Sequence, residues 1–230
     1  MFLIVGGSSD IGNSLASKLS NIDDVLVTYR NPDNLKKIIP KKNKIYYRKL
    51  NLNKLLNIKN FIKKNSKLLK NIKYINLANL TVDKIVANID IKDVENVYKV
   101  NVYSNIIFSK FLIPKMIKDN YGRFIFFTST RAHRGDIGIS QYSSSKQAMT
   151  GFSRCLAKEY AKFNITSNCL KLGYFESKLF RNIKKKIRSR LIKEIPSGKL
   201  GVHKDLLNII HSISETNYIN GAEINIDGGI

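Results

Sequence analysis

Seven short runs of β-branched and aromatic residues recur along the chain, separated by longer segments of a different pattern. The runs are Phe2–Val5, Val25–Thr28, Ile45–Tyr47, Tyr74–Leu77, Phe124–Thr128, Thr166–Leu172 and Glu223–Ile226. Nearly continuous apolar runs are typical of strands buried on both faces, and strands alternating with helices favour a parallel sheet with right-handed crossovers. The sequence therefore predicts an α/β fold of the doubly wound type, with a mainly parallel seven-stranded sheet in a single domain over residues 1–230.

The segments between these runs carry apolar residues at helical spacing. The stripes are Ile11, Leu15 and Leu19; Ile58 and Ile62; a long helix over Val94–Ile113; and Ala148, Phe152, Cys155, Leu156 and Tyr160. In doubly wound sheets ligands bind beyond the carboxyl ends of the strands. Functional residues are therefore expected where the runs end.

The charge of the chain is strongly positive. It has 40 Lys and Arg residues against 17 Asp and Glu residues, a formal net charge of +23, which raises the question of nucleic acid or anionic membranes. However, the lysines are scattered from Lys18 to Lys204 and aromatic residues do not alternate with them as in RNA-binding motifs. The abundance of Lys, Asn and Ile is what an A+T-rich genome encodes, so we expect no specific nucleic-acid partner.

The sequence contains no recognisable membrane span or signal peptide. Its apolar stretches fall well short of the ~20 residues that cross a bilayer, and Met1–Val5 runs directly into Gly6. Cys155 and Cys169 cannot form a disulfide framework and are expected to be buried, reduced thiols. The sequence therefore predicts a soluble cytoplasmic protein.

A glycine-rich turn follows the first run and precedes a helix. Glycines allow backbone N–H groups to approach a pyrophosphate, which then meets the positive end of the helix dipole. In this interpretation the serines add hydroxyl donors and the aspartate caps the helix; a simple turn is the alternative. The residues assigned to the site are Gly6, Ser8, Ser9, Asp10, Ile11 and Gly12.

The ends of the next three runs add further cofactor candidates. Arg30 stands where a carboxylate would bind the ribose 2′-hydroxyl of NAD, and its planar cation suits a 2′-phosphate, so NADP is favoured over NAD. A solvated surface arginine is the alternative. Asn51 and Leu52 can meet the adenine edge. Asn76 and Ala78 lie where the backbone lines the cofactor ribose.

Tyr142 and Lys146 are four residues apart, which places both side chains on one face of a helix. A nearby cation favours the phenolate, so we expect the pKa of Tyr142 to lie below its usual value of ~10. Tyr174 and Lys178 have the same spacing, but only Tyr142 follows thirteen residues after a strand-end serine, Ser129. Asn101 lies in an apolar helical stripe, either as a satisfied core amide or as a residue that holds a relay water.

These residues resemble those of the short-chain dehydrogenase/reductase family, and the resemblance runs from Phe2 to Gly229. The family's catalytic tetrad is matched in order and spacing by Asn101, Ser129, Tyr142 and Lys146. Other matches are the glycine turn, Asn76–Asn79 at two of four positions, Leu172–Gly173 with Ser177, and Asn220–Gly221 with Asp227–Gly229. The chain departs from the family pattern at Asp10, where the family has glycine, and at Asn51 and Asn79.

The resemblance implies a three-layer α/β/α Rossmann fold and the reduction of a carbonyl by NADPH. Tyr142 would protonate the developing alkoxide, Ser129 would hold its oxygen, Lys146 would bind the nicotinamide ribose and Asn101 would hold a water. Gly173, Phe175 and Ser177 would also contact the cofactor. Family members usually form dimers or tetramers, so a homodimer or homotetramer is expected.

The substrate is less constrained. The stretch after Ser129 borders the predicted cleft and adds Arg131, His133 and Arg134, and a lid over residues 174–195 adds Lys178. Within the lid, Leu179, Phe180, Ile183, Ile187 and Leu191 form an apolar stripe among basic residues. His133 has no partners at metal-ligand spacing, and no metal site is expected.

Cations beside the cleft favour an anionic substrate, although biased composition explains them equally well. A basic lid suits acidic acyl carrier protein, and the resemblance is to 3-oxoacyl-carrier-protein reductases, so a 3-oxoacyl thioester ranks first. An activated sugar or polysaccharide precursor is the alternative substrate. A catalytically idle protein that senses a cofactor or binds nucleic acid is the alternative of another class.

Overall fold

The computed structural model describes residues 1–32, 35, 40 and 42–230, without the side chain of Leu179. Seven parallel strands form one sheet in the order β3-β2-β1-β4-β5-β6-β7. The strands are β1 (Phe2–Val5), β2 (Val25–Tyr29), β3 (Ile45–Lys49), β4 (Ile72–Asn76), β5 (Gly122–Ser129), β6 (Ile165–Leu172) and β7 (Glu223–Ile226). After β3 the chain returns past β1 to β4, and this reversal opens a crevice at the carboxyl ends. The predicted doubly wound sheet is confirmed.

Helices cover both faces of the sheet. Those among the described residues are α1 (Asp10–Leu19), α2 (Leu56–Lys64), α3 (Ile91–Tyr98), α4 (Ser104–Lys118), α5 (Thr130–Arg134), α6 (Ser140–Tyr160), α7 (Lys178–Arg181), α8 (Lys185–Lys193) and α9 (His203–Glu215). Alternate residues of each strand serve two cores: Phe2 and Ile4 pack with α1 and α9, whereas Leu3 and Val5 pack with α2, α4 and α6. The three-layer Rossmann fold is therefore confirmed.

The predicted long helix over Val94–Ile113 is interrupted. One π-helical turn, Lys99–Tyr103, separates α3 from α4. Side chains from the first turn of α4 bind carbonyls of this turn: Ser104 Oγ donates to Val100 O (2.6 Å) and the Asn105 amide donates to Asn101 O (2.8 Å). These side-chain bonds stabilise the wider turn, and Asn101 is buried there, as its place in the apolar stripe predicts.

The apolar stripe predicted on α6 is only partly buried. Ala148 and Cys155 are exposed, and the buried face is instead largely polar, with Gln141, Ser145, Lys146, Thr150 and Ser153. The expectation that both cysteines are buried is wrong for Cys155 and correct for Cys169. Periodicity failed here because α6 lies beside the active-site crevice, where it carries polar side chains inward. Within the described ranges, no helix has the length and apolar character needed to span a bilayer.

Candidate active site

The glycine turn after β1 is closely packed and leaves backbone donors free. Gly6 has a φ of +75°, and a Cβ on Gly12 would lie 2.5 Å from Gly7 Cα, so neither position tolerates a side chain. Within the described part of the chain, nothing accepts a hydrogen bond from the backbone N–H groups of Ser8, Asp10 or Ile11. These donors and the positive end of α1 fit the diphosphate of a dinucleotide.

Ser9, not Asp10, caps α1. The Ser9 hydroxyl accepts from Gly12 N (3.0 Å), which corrects the predicted role of the aspartate. Asp10 occupies the first helical position and turns its carboxylate away from the turn. Its Oδ2 accepts a hydrogen bond from the backbone N–H of Lys178 and pairs with Arg181 Nη2 at 3.3 Å. The carboxylate of Asp10 thus contacts the region predicted to be the lid.

The ends of β2 and β3 carry the candidates for binding the adenosine half. Thr28 holds the glycine turn, because its Oγ1 accepts from Gly6 N (3.2 Å) and its carbonyl accepts from Gly7 N (2.9 Å). Arg30 follows β2 and is exposed. Asn51 Oδ1 accepts from Asn53 N (3.0 Å), so its amide NH₂ remains to meet an adenine edge, and Leu52 is buried in the core.

A network of buried asparagines connects the end of β4 to the π-helical turn. Asn76 donates to Asn105 Oδ1 (2.7 Å) and accepts from Ala78 N (2.8 Å). Asn105 Oδ1 also accepts from Tyr74 OH (3.0 Å), and its amide binds Asn101 O. Sequence analysis missed Asn105. The sequence offered one signal for it: Asn105 follows Asn101 by four residues, so both amides lie on the same, buried face of the helix.

The side chain of Asn101 is 2 % exposed and nearly saturated with partners. Its Oδ1 accepts from Leu80 N, and its amide donates to Leu80 O and to Ser145 Oγ, each at 2.9 Å. Ser145 Oγ in turn donates to Tyr142 O (2.7 Å). Both amide hydrogens are therefore used, and one lone pair of Oδ1 remains for the predicted water. Through these contacts Asn101 connects the β4–α3 loop to the start of α6 and holds the two segments together.

Ser129, Tyr142 and Lys146 meet at the carboxyl end of β5. Ser129 ends the strand and caps α5, where its Oγ accepts from Ala132 N (3.4 Å). Tyr142 and Lys146 lie on successive turns of α6, and Lys146 Nζ lies 5.7 Å from the centre of the Tyr142 ring. Lys146 is buried, and Nζ donates to Phe127 O on β5 (2.9 Å).

The second tyrosine–lysine pair of the same spacing lies elsewhere. Tyr174 packs against Phe180, with 5.9 Å between ring centres, and Lys178 is exposed. The pair spans the end of β6 and the start of α7 rather than one helix. Of the two pairs, only Tyr142 and Lys146 share one helix.

Burial controls the titration of Tyr142 and Lys146. Burial raises the pKa of Tyr142 above 10.0, while hydrogen bonding to Ser129, the charge of Arg131 and hydrogen bonding to Asn79 oppose this rise. Burial lowers the pKa of Lys146 from 10.5 to about 8. The expectation that Lys146 brings the pKa of Tyr142 below its usual value is wrong for this structure, because Nζ is directed at a backbone carbonyl and the phenol is desolvated.

The residues after β6 contribute backbone more than side chains. Gly173 N donates to Ile226 O (3.0 Å), and a Cβ there would lie 2.7 Å from Asp227 Cα. Phe175 is a core residue whose ring packs against Gly201, so its side chain does not line the crevice. Ser177 Oγ accepts from Phe180 N (3.1 Å) and caps α7. The ring of Phe175 is therefore directed into the core, whereas the hydroxyl of Ser177 accepts one hydrogen bond and keeps its proton to donate.

The predicted substrate residues are mostly engaged within the protein. The stretch after Ser129 forms the short helix α5 rather than a loop, with Arg131 paired to Asp136 (2.7 Å) and His133 Nδ1 3.1 Å from Gln147 Nε2. Arg134 Nη2 lies 4.0 Å from both Asp136 and Glu194 carboxylate oxygens. The part of the chain that the structure describes contains no cluster of His, Cys, Asp and Glu side chains suited to a metal ion.

The predicted lid consists of two helices, α7 and α8, and not of one continuous amphipathic stripe. Phe180 is buried, but Ile187 is 46 % exposed and α8 has no buried residue. The predicted stripe also includes Leu179, whose side chain lies outside the described residues. The segment between α7 and α8 breaks the helical period, so the apolar residues of α8 do not continue the face that Phe180 anchors.

Comparisons with protein families, with individual proteins and with solved structures all identify short-chain dehydrogenases or reductases as similar to this chain. The model of the short chain dehydrogenase family matches residues 1–188. The chain is 31% identical to the 3-oxoacyl-[acyl-carrier-protein] reductase of Buchnera aphidicola subsp. Baizongia pistaciae, over 99% of this chain and 96% of that protein. It is 28% identical to carbonyl reductase family member 4 of Xenopus laevis, over 99% and 96%. A short-chain type dehydrogenase/reductase from Mycobacterium ulcerans has the same fold, with a TM-score of 0.90 at 19% identity, over 99% of this chain and 88% of that one.

Proposed function

Because the chain belongs to the short-chain dehydrogenase family and is an oxidoreductase, we propose that it reduces a 3-oxoacyl thioester with NADPH. The observation that carries this proposal is the convergence of Ser129, Tyr142 and Lys146 beside a glycine turn with free backbone donors. The full-length similarity to a protein named as a 3-oxoacyl-[acyl-carrier-protein] reductase supports the choice of substrate class.

In the proposed reaction the residues of the crevice handle the oxygen and its proton. When bound, the dinucleotide supplies a hydride to the carbonyl carbon. Tyr142 donates its phenolic proton to the carbonyl oxygen, and its raised pKa keeps that proton in place at neutral pH. Ser129 holds the same oxygen by a hydrogen bond. Lys146 would bind the nicotinamide ribose, and Asn101 would fix the start of α6 through Ser145 while its free lone pair holds a water.

The preference for NADP is assigned to Arg30. A guanidinium beyond β2 attracts a 2′-phosphate, which NAD lacks, so Arg30→Gln is expected to raise the KM for NADPH about tenfold and leave the KM for NADH nearly unchanged. Steady-state kinetics with both cofactors measures this effect. Lys118→Gln, at the end of α4, is the control for loss of one exposed cation. Equal use of NADPH and NADH by the wild type would contradict the assignment.

The proposed lid, residues 174–195, would recognise the carrier protein to which the substrate is attached. Helix α8 presents exposed cations, and its charge would steer an acidic carrier toward the crevice. These cations are Lys185, Lys186, Arg190 and Lys193. Arg131, His133, Arg134 and Lys178 lie on the neighbouring helices α5 and α7 and complete the proposed basic rim.

A panel of carbonyl substrates tests the function directly. We expect NADPH oxidation with 3-oxoacyl-carrier-protein and, more slowly, with a small 3-oxoacyl thioester. Raising the ionic strength from low salt to about 0.5 M is expected to lower kcat/KM at least about fivefold for the carrier-bound substrate alone, because steering acts on charged partners. Turnover of a keto sugar nucleotide with no turnover of either thioester would overturn the proposal in favour of the activated-sugar alternative.

We propose that the protein acts as a homodimer or homotetramer in the cytoplasm. Large apolar side chains stay exposed along the face of α3, the π-helical turn and α4 that meets water, among them Ile91, Tyr103 and Ile106. A second copy that packs against this face would remove their apolar surface from water. The exposed thiol of Cys155 agrees with a reducing compartment.

A further inference from the structure

The carboxylate of Asp10 lies at the positive end of α1, where the helix dipole favours it but where it competes with any other anion. Asp10 begins the helix whose N-terminal backbone donors are suited to a diphosphate. A second negative charge there repels a bound diphosphate unless a cation neutralises it. The side chain is 21% exposed, so water only partly screens its charge.

Two groups of α7 satisfy this carboxylate. Lys178 donates its backbone N–H to Asp10 Oδ2, and Arg181 Nη2 lies 3.3 Å from the same oxygen. These contacts join residues 168 and 171 positions apart in the sequence, so they fix the position of α7 against the glycine turn. Phe180, 5% exposed, anchors the other face of the same short helix.

The connection continues through the rest of the proposed lid. Arg188 of α8 donates to Arg181 O (3.3 Å), and Glu194 after α8 lies 3.5 Å from Arg190 and 4.0 Å from Arg134 on α5. The lid is thus tied at one end to the glycine turn through Asp10 and at the other end to the helix that follows Ser129. Of these ties, only the pair of Asp10 and Arg181 adjoins the dinucleotide site.

We propose that Asp10 is a positioning residue: it docks the lid on the glycine turn, and Arg181 neutralises its charge so that the same turn can accept a diphosphate. The dinucleotide assignment rests on the proposed function, whereas the docking contact does not. Cofactor affinity therefore depends on the pair of side chains rather than on either one alone.

A double-mutant comparison tests the compensation. Arg181→Gln leaves the Asp10 charge uncompensated and is expected to weaken NADPH binding about tenfold, as measured by the fluorescence of the bound cofactor without substrate. Adding Asp10→Asn removes that charge and is expected to restore affinity to within about threefold of wild type. Lys186→Gln removes a lid cation that has no contact with Asp10 and is expected to change affinity less than about twofold. A double variant as weak as Arg181→Gln alone would overturn the proposal.

Limited proteolysis tests the docking contact without any cofactor. Lys184, Lys185 and Lys186 are exposed sites for trypsin between and within the lid helices. Asp10→Gly removes the carboxylate that holds α7, so cleavage there is expected to be at least about fivefold faster than in the wild type. Cleavage at the wild-type rate would overturn the docking role. If the wild type binds neither NADPH nor NADH, the proposed function fails, and this cleavage comparison still decides the docking role.

Discussion

Replacing Tyr142 with phenylalanine is expected to lower kcat about a thousandfold or more, while NADPH binds within about threefold of the wild-type affinity. The substitution removes only the hydroxyl group, so the half-buried ring keeps its packing and its place beside Lys146. The proton for the carbonyl oxygen then has to come from water, which is not held in position and is a much weaker acid than the phenol. Initial rates of NADPH oxidation and fluorescence titration of the cofactor measure the two quantities separately.

The chain supplies its own matched control. Tyr174 has a lysine four residues later, as Tyr142 has, but its ring packs against Phe180 away from Ser129. Tyr174→Phe is expected to keep kcat within about threefold of wild type. Equal losses from both substitutions, or a full rate from Tyr142→Phe, would show that the phenol of Tyr142 is not the proton donor.

The parallel sheet and the place of the crevice were predictable because they depend on local patterns. Each strand is a run of buried residues, and parallel strands joined by helices bring their carboxyl ends to one edge. Gly6 follows β1, Ser129 ends β5, and Tyr142 and Lys146 lie in the first two turns of α6, so the sequence placed them at this edge. The location of these four residues could therefore be predicted from where each one lies along its own strand or helix.

Partners that are distant in sequence could not be predicted in the same way. Arg123 on β5 is 2 % exposed, and its guanidinium donates to Ser214 O and Asn164 O, which lie 91 and 41 residues away. The Asn105 network and the contact of Asp10 with Arg181 are of the same kind. Periodicity marks these side chains only as polar residues, since it contains no information on which distant backbone group satisfies them.

The pKa of Tyr142 shows a related limit. Spacing on a helix predicts that Lys146 is near the phenol, and the two are indeed adjacent. The direction of the pKa change depends on how deeply each group is buried and on where the ammonium donates its hydrogen bond. Burial raises the pKa of Tyr142 and lowers that of Lys146, so desolvation sets the direction of both changes.

Replacing Lys146 with methionine is expected to lower kcat about a thousandfold and to stabilise the folded protein at neutral pH. The catalytic loss follows from removing the cation that, in the proposed function, binds the nicotinamide ribose. The gain in stability follows from burial. The lowering of the Lys146 pKa from 10.5 to about 8 corresponds to about 3 kcal/mol of unfavourable free energy when the buried amine is charged.

The pH dependence of this effect has a definite sign. The unfolded chain keeps the Lys146 proton up to a pH near 10.5, whereas the folded protein loses it above about 8. The wild-type free energy of unfolding therefore increases as the pH rises from about 8 to 10.5. Below about pH 8 the folded protein carries the full cost of burying the charged amine of Lys146. Loss of the hydrogen bond to Phe127 O offsets about 1 kcal/mol, which leaves a net gain for Lys146→Met of about 1–2 kcal/mol at pH 7.

Chemical unfolding of both proteins at pH 7 and near pH 10 measures the difference. We expect Lys146→Met to be more stable at pH 7 and the gap to narrow as the pH rises, because the wild type then buries a neutral amine. Lys158→Met, an exposed lysine on the same helix α6, is the control and is expected to show no such pH dependence. A Lys146→Met protein that is less stable than the wild type at pH 7, with parallel pH profiles, would show that Lys146 is not desolvated in the folded protein. The ammonium would then be hydrated in the folded protein.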